Sequence, residues 1–244
     1  MKKYTLTLIL ALASLGLYAQ TNRNKTIINA ALHGWEYEIK AGVNLGGTAP
    51  LPFPEEIRSI DGYNPTLSIT IEGNMTKWLD TKKKWGIITG LRLENKGMRT
   101  KATVKNYNME IIGYDGNRLK GNWTGGVRTK VQNSYITIPV LAAYKLSPRT
   151  TLKLGPYFSY LMDGDFSGHV YEGYLRETNP TGDKINFTNG AIATYDFSGD
   201  LRKFQWGVQA GVDWKAFKHL KVHADLNWGL NDIFNKDFKT VTFD

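Results

Sequence analysis

The chain has 244 residues, a formal charge of +9 and no cysteine, which excludes a disulfide framework, a thiolate metal site and a lipid-modified N-terminal cysteine. Beyond the N-terminus no apolar run approaches the roughly 18 to 20 residues that a spanning helix needs, so membrane insertion through helices is excluded too. Glycine is abundant at 25 residues and aromatics reach 12%, while nothing basic takes the form of a nucleic-acid motif and no nucleic-acid partner is expected.

Residues 1–19 read as a secretory signal peptide. Lys2 and Lys3 precede an apolar core from Leu6 to Leu17, and small Ala19 stands before Gln20, where cleavage is expected. Loss of the two lysines takes the formal charge from +9 to +7, a balance that suits phosphate-bearing lipid head groups, such as those of outer-membrane lipid and lipopolysaccharide, and that a solvated surface explains equally well. Residues 20–34 are polar without a strong period and read as a periplasmic lead-in. Residues 35–244 then fit one all-β domain.

The first strand begins at Trp35. Trp35, Tyr37, Ile39, Ala41, Val43 and Leu45 alternate with Glu36, Glu38, Lys40, Gly42, Asn44 and Gly46, so every charge falls on one face, expected to be a lumen. Residues 47–64 hold three prolines in five positions and predict a long loop. A second strand runs from Thr66 to Leu79, with Lys77 on its apolar face, tolerable at a membrane edge by snorkelling. After a charged turn at Asp80 to Lys84, the third strand sets Trp85, Ile87, Leu91 and Leu93 against Gly86, Gly90, Arg92 and Glu94.

Residues 97–133 are polar and glycine-rich and predict a second long loop, with a hairpin in it above a barrel rim. The fourth strand spans Tyr135 to Leu146, and Pro139, which lacks a ladder donor, predicts a bulge or local defect. A short turn at Ser147 to Thr150 leads to the fifth strand, Leu152 to Met162, with Lys153 facing inward. Residues 163–203 predict a third long loop. The last hairpin, Phe204 to Leu230, places Trp206 and Trp214 eight residues apart on its apolar face, about 26 Å along the strand. Tilted by about 40°, that distance approaches the apolar band of about 25 Å, flanked by aromatic girdles, of an outer-membrane barrel.

Connections therefore alternate long and short. With short turns in the periplasm, 47–64, 97–133 and 163–203 lie outside the cell. The fold expected is an antiparallel up-and-down transmembrane β-barrel of the eight-stranded type with seven clear strands. For the eighth strand, either the run Phe238 to Phe243 is a stunted version of it or the sequence lacks its last ten or so residues, the second being favoured.

The segments YITIPVLAAYKL at 135–146 and TLKLGPYFSYLM at 151–162, with AGVNLGG at 41–47 and WGIITGLRLENKGM at 85–98, resemble the PorT-like outer-membrane β-barrel family over most of the mature chain. The resemblance implies an eight-stranded barrel of the Gram-negative outer membrane, commonly without a defined activity, whose namesake serves protein secretion. It carries no catalytic motif and implies a possible envelope protein partner.

Few residues group as chemistry would require. His223 and Asp225 lie two apart on the polar face near Asp213, and a histidine beside a carboxylate can act as a general base. Without a serine in a recognisable arrangement, mutual neutralisation with Glu36, Glu38, Lys40, Arg92, Glu94 and Lys153 is the expected reading. Asp163, Asp165, Ser167 and Gly168 occupy the first positions of a calcium loop, but Tyr174 stands where the glutamate belongs, and a polar loop tip is expected. Trp35, Trp85, Trp206, Trp214 and Trp228 near strand ends are expected to be interfacial anchors. No catalytic, cofactor-binding or metal site is assigned.

The function expected is a non-enzymatic structural or binding component of the outer membrane with functional outer loops and a plugged lumen. A lipid-modifying barrel enzyme using His223 and Asp225, and a soluble lipocalin-like carrier with inverted alternation, are the alternatives. The sequence leaves the oligomeric state open.

Overall fold

The computed structural model describes residues 34–47, 55–113 and 116–235. The signal peptide, the lead-in up to residue 33 and the run Phe238 to Phe243 lie outside the described residues.

Among those residues one antiparallel sheet holds nine strands: β1 (Trp35–Asn44), β2 (Ile57–Thr66), β3 (Ser68–Trp78), β4 (Trp85–Ile112), β5 (Arg118–Lys145), β6 (Thr150–Glu177), β7 (Lys184–Asp196), β8 (Phe204–Lys215) and β9 (Lys221–Gly229). Seven of them pair in the order β1-β3-β4-β5-β6-β8-β9 and contain all seven strands expected from alternation. Their apolar face points outward: Ile39 is 86% exposed and Leu226 is 70% exposed, whereas Lys40, Arg92 and Lys153 are buried. That polarity rules out the soluble carrier, whose cavity would be apolar.

Two strands were not expected. The three long loops are largely extended structure: β2 occupies part of 47–64, β4 and β5 pair almost continuously through 97–133, and 163–203 contains the outer half of β6 and all of β7. Each of β4, β5 and β6 has 28 residues, about 90 Å of chain at roughly 3.3 Å per residue, far beyond the 9–11 residues that cross a bilayer. The hairpin expected above the rim is the outer end of β4 and β5.

The outer halves form a second layer of structure. β2 pairs with β4 at 97–104, β7 pairs with β6, and Ile112 of β4 meets Thr194 of β7, so the outer sheet curls back on itself. It encloses a core that includes Ile111, Trp123, Val170, Leu175 and Phe187. Bulges bend it: Asn106 and Glu172, at φ +59° and +47°, sit where the β4–β5 and β5–β6 registers shift.

Pro139 produces no bulge. The register on both its neighbours is the same before and after it: on the β4 side the rungs of Ile138 and Pro139 are missing, while on the β6 side Pro139 faces Tyr157 and the gap falls at Val140 and Leu141, opposite Pro156 and Gly155, a local defect in which an absent N–H breaks a bond without adding a residue. The end strands of the sheet, β1 and β9, approach one another through their inward side chains, with Lys221 Nζ 3.0 Å from Glu38 Oε2. Among the described residues β1 pairs only with β3, and β9 only with β8.

The short connections close tightly. In the turn after β3 the Asp80 carboxylate accepts the backbone N–H of Lys84 and of Trp85, both at 2.8 Å. Those bonds, Trp85 foremost, hold its carboxyl below the ordinary value. A lowered folded pKa means that the turn gains stability above the usual carboxylate range and loses it as pH falls through the lowered value. The amide resonances of Lys84 and Trp85 in micelles should therefore titrate together with a midpoint below that of a free aspartate. A midpoint at the ordinary value would show that the carboxylate does not hold the turn.

Candidate functional site: a filled, self-neutral lumen

The inward positions of the seven strands meet along the barrel axis because side chains alternate and every inward residue of a narrow barrel faces the others. Lys153 of β6 is 2% exposed and bridges two acids, with Nζ 2.6 Å from Asp213 Oδ1 of β8 and 2.8 Å from Asp225 Oδ1 of β9. Lys40 of β1 lies 3.6 Å from Asp213 and 3.8 Å from Glu72. Arg92 of β4 bonds Glu72 of β3 through Nε and donates from Nη2 to Gln209 Oε1 at 2.8 Å. Glu94 takes Lys96 at 3.2 Å and accepts from Thr137 Oγ1 at 2.8 Å, and Thr137 shares a 2.7 Å bond with Ser159.

Four cations, Lys40, Arg92, Lys96 and Lys153, thus face four carboxylates, Glu72, Glu94, Asp213 and Asp225. The group carries no formal net charge, so it has no reason to concentrate either sign of solute. Desolvated ions at this depth demand partners, and each of the eight has at least one.

Apolar layers lie at both ends of this zone. At the tight-turn end Trp78, Ile88, Leu141 and Ala143 pack together, and Lys145 Nζ lies 4.5 Å from the Trp78 ring centroid. At the other end Tyr135, Leu161 and Leu201 pack with Phe166, Ile233 and Phe234. Trp78, unlike the other strand-end tryptophans, turns inward; its even-numbered place beside Glu72, Asn74 and Thr76 on β3 was the available signal.

His223 and Asp225, the residues of the catalytic alternative, both lie on β9. His223 stands directly opposite Asp213 in the β8–β9 register, but Asp213 and Asp225 are both drawn to Lys153. The His223 ring lies instead against β1, where a Cβ on Gly42 would come within 3.2 Å of Nε2. The calcium-like residues also depart from expectation. Asp163, Asp165 and Ser167 lie within β6, not at a loop tip, paired with Ser134, Gln132 and Lys130 of β5, and an extended strand cannot wrap its ligands round one ion.

Interfacial tryptophans are where alternation puts them. Trp85, Trp206, Trp214 and Trp228 are exposed on the outward face. Trp35 has Lys77 Nζ 5.3 Å from its ring centroid, which gives the edge lysine a place to snorkel.

An outward apolar belt, a charged interior and short turns at one end define an outer-membrane β-barrel. A family model described as outer membrane protein beta-barrel domain matches residues 18–235, and the chain belongs to that family. Comparison with curated proteins gave no match, and comparison with solved structures gave none.

Proposed function

We propose that the protein is a non-enzymatic component of the outer membrane whose filled barrel serves as a stem for the outer sheet of β2, β7 and the distal halves of β4, β5 and β6. With the tight turns in the periplasm, that sheet stands outside the cell as a binding surface. The observation that carries this reading is the lumen, packed with apolar side chains at both ends and self-neutralised between them. The likeness of residues 135–146 and 151–162 to PorT-like barrels supports a finer reading, in which an envelope partner used in protein secretion is what the barrel contacts. Export through a signal peptide cleaved after Ala19 belongs to the same reading.

A stem of this kind conducts poorly. Purified protein in planar bilayers should give no stable channels at 1 M salt, where a porin would give steps of uniform size. Large, long-lived openings would overturn the proposal.

A further inference from the structure

The outward face of β4, β5 and β6 changes chemistry along its length. Leu91 and Leu93, Ile136 and Ile138, Phe158 and Tyr160 share the lower rungs, and the β4–β5 register runs unshifted from them to Val104. On that same face Arg99 then stands directly opposite Lys130, and Lys101 directly opposite Arg128. Like charges facing each other across a strand pair cost stability, yet two such rungs lie in succession. Packing gives no reason for them, since all four side chains are exposed.

Neighbouring acids offset the group only in part: the Ser59 and Thr103 hydroxyls, and beyond them the Lys101 charge, hold the Asp61 carboxyl below its ordinary value, and Arg99 and Arg128 make no ion pair among the described residues. Among the described residues only Lys130 of the four makes an ion pair, with Asp165 at 3.1 Å. Asp61 accepts the hydroxyls of Ser59 and Thr103 at 2.7 and 2.8 Å, and Asp196 accepts the Ser198 N–H at 2.9 Å. Lys101 Nζ and Arg128 Cζ lie 5.5 and 5.2 Å from the centroid of the Tyr171 ring, which covers Gly126 so closely that a Cβ there would come within 2.5 Å of it. Burial and Arg128 hold the His169 imidazole below its ordinary value, so it adds no charge at neutral pH. An open groove of about 900 Å³ is lined by Arg99, Lys101, Arg128, Lys130, His169 and Tyr63, among others, a size within the range of ligand sites.

Position selects the ligand. Arg99 is six residues beyond Leu93, about 20 Å along the strand and about 15 Å above the hydrocarbon at a tilt of about 40°. The head-group layer is only about 5–8 Å deep on each side. The cluster therefore stands above the lipid phosphates, on the lateral face that lipid itself covers lower down, level with whatever sugars that lipid carries.

We propose that Arg99, Lys101, Arg128 and Lys130 bind the phosphate- and carboxylate-bearing sugars of lipopolysaccharide in the surrounding leaflet. Guanidinium groups suit bidentate capture of such anions, and an anion between the facing cations relieves their repulsion. The assignment rests on the reading that this sheet lies outside the cell.

The test is calorimetric titration of the full chain in micelles with rough-type lipopolysaccharide, with the dephosphorylated form and with phosphatidylglycerol vesicles. Lys101→Gln/Arg128→Gln should weaken binding of the native lipopolysaccharide at least ten-fold, and dephosphorylation should do the same. The variant should resist urea as well as or better than the native chain, since it removes a repulsive pair; a merely structural role would lower both. Undiminished binding by the variant, or equally tight titration by phosphatidylglycerol, would overturn the proposal. Because micelles impose no orientation, this result is independent of protease shaving of whole cells. A sheet cleaved only after the outer membrane is opened would overturn lipopolysaccharide as the source of the anion.

Discussion

Lys153→Met is expected to destabilise the barrel by about 3–5 kcal/mol, the usual cost of leaving buried charges without their partner. Among the described residues Lys153 is the one cation within 3 Å of both Asp213 and Asp225, and Lys40, the nearest other cation to Asp213 at 3.6 Å, is already shared with Glu72. Methionine keeps most of the side-chain volume, so the loss measures charge rather than packing. Urea titration of protein refolded into lipid vesicles reads it as an earlier midpoint. Lys153→Met/Asp225→Asn should recover most of the difference, because three cations then face three carboxylates and Asp213 keeps Lys40 as its partner. A single variant that unfolds at the native urea concentration would show that the two carboxylates are solvated or protonated, and that the lumen is wetter than its geometry implies.

The second large effect is confined to the outer sheet. Trp123→Ala should cost about 3–5 kcal/mol of that sheet's stability, as large-to-small core changes of aromatic residues do. Trp123 is fully buried and meets Phe187 edge-on with ring centroids 5.3 Å apart. Its indole also fills the space under Gly125 and Gly173, where a Cβ on either would come within 3 Å of the ring. Among the described residues this core meets the apolar layer at the outer end of the lumen through Phe197 against Phe166, but no member of the ionic zone belongs to it, so the barrel should persist. Limited proteolysis of the variant in vesicles should cut within 97–130 and spare fragments containing β8 and β9. Equal resistance in native and variant protein would mean that the outer sheet is held by its backbone ladder alone.

Alternation made the membrane zone legible because there both sides of the pleat are under chemical constraint, oil on one and paired ions on the other. Lys40, Arg92, Glu94 and Lys153 could be placed inward from spacing alone. Their partners could not: that Lys153 takes Asp213 and Asp225 together depends on three strands distant in sequence. The outer sheet was illegible for a different reason. On β4 the buried residues run Ala102, Val104, then Met109, Ile111, an even series that turns odd after the bulge at Asn106. On β6 Leu161, Val170 and Leu175 change parity twice, at the register shifts near Met162 and Glu172. A period-two reading counts such segments as aperiodic, and glycine and lysine between them complete the look of a loop. β5 has no such shift between Trp123 and Ala143, but its outward face exchanges apolar residues for Lys130 and Arg128 above the membrane, which erased the contrast that alternation relies on.

The side-chain meeting of Lys221 with Glu38 joins residues 183 positions apart, whereas five of the nine strand pairings among the described residues link consecutive strands. Forming that contact first would require closing a loop at an entropic cost of about 4–5 kcal/mol, against about 1–1.5 kcal/mol for each tight-turn hairpin. Assembly is therefore zipper-like, with hairpins added in turn and the two ends of the sheet meeting last. Until they meet, the lysines and acids of the half-formed lumen face lipid or water without their full set of partners, so the ion pairs that fill the finished barrel count against it during insertion.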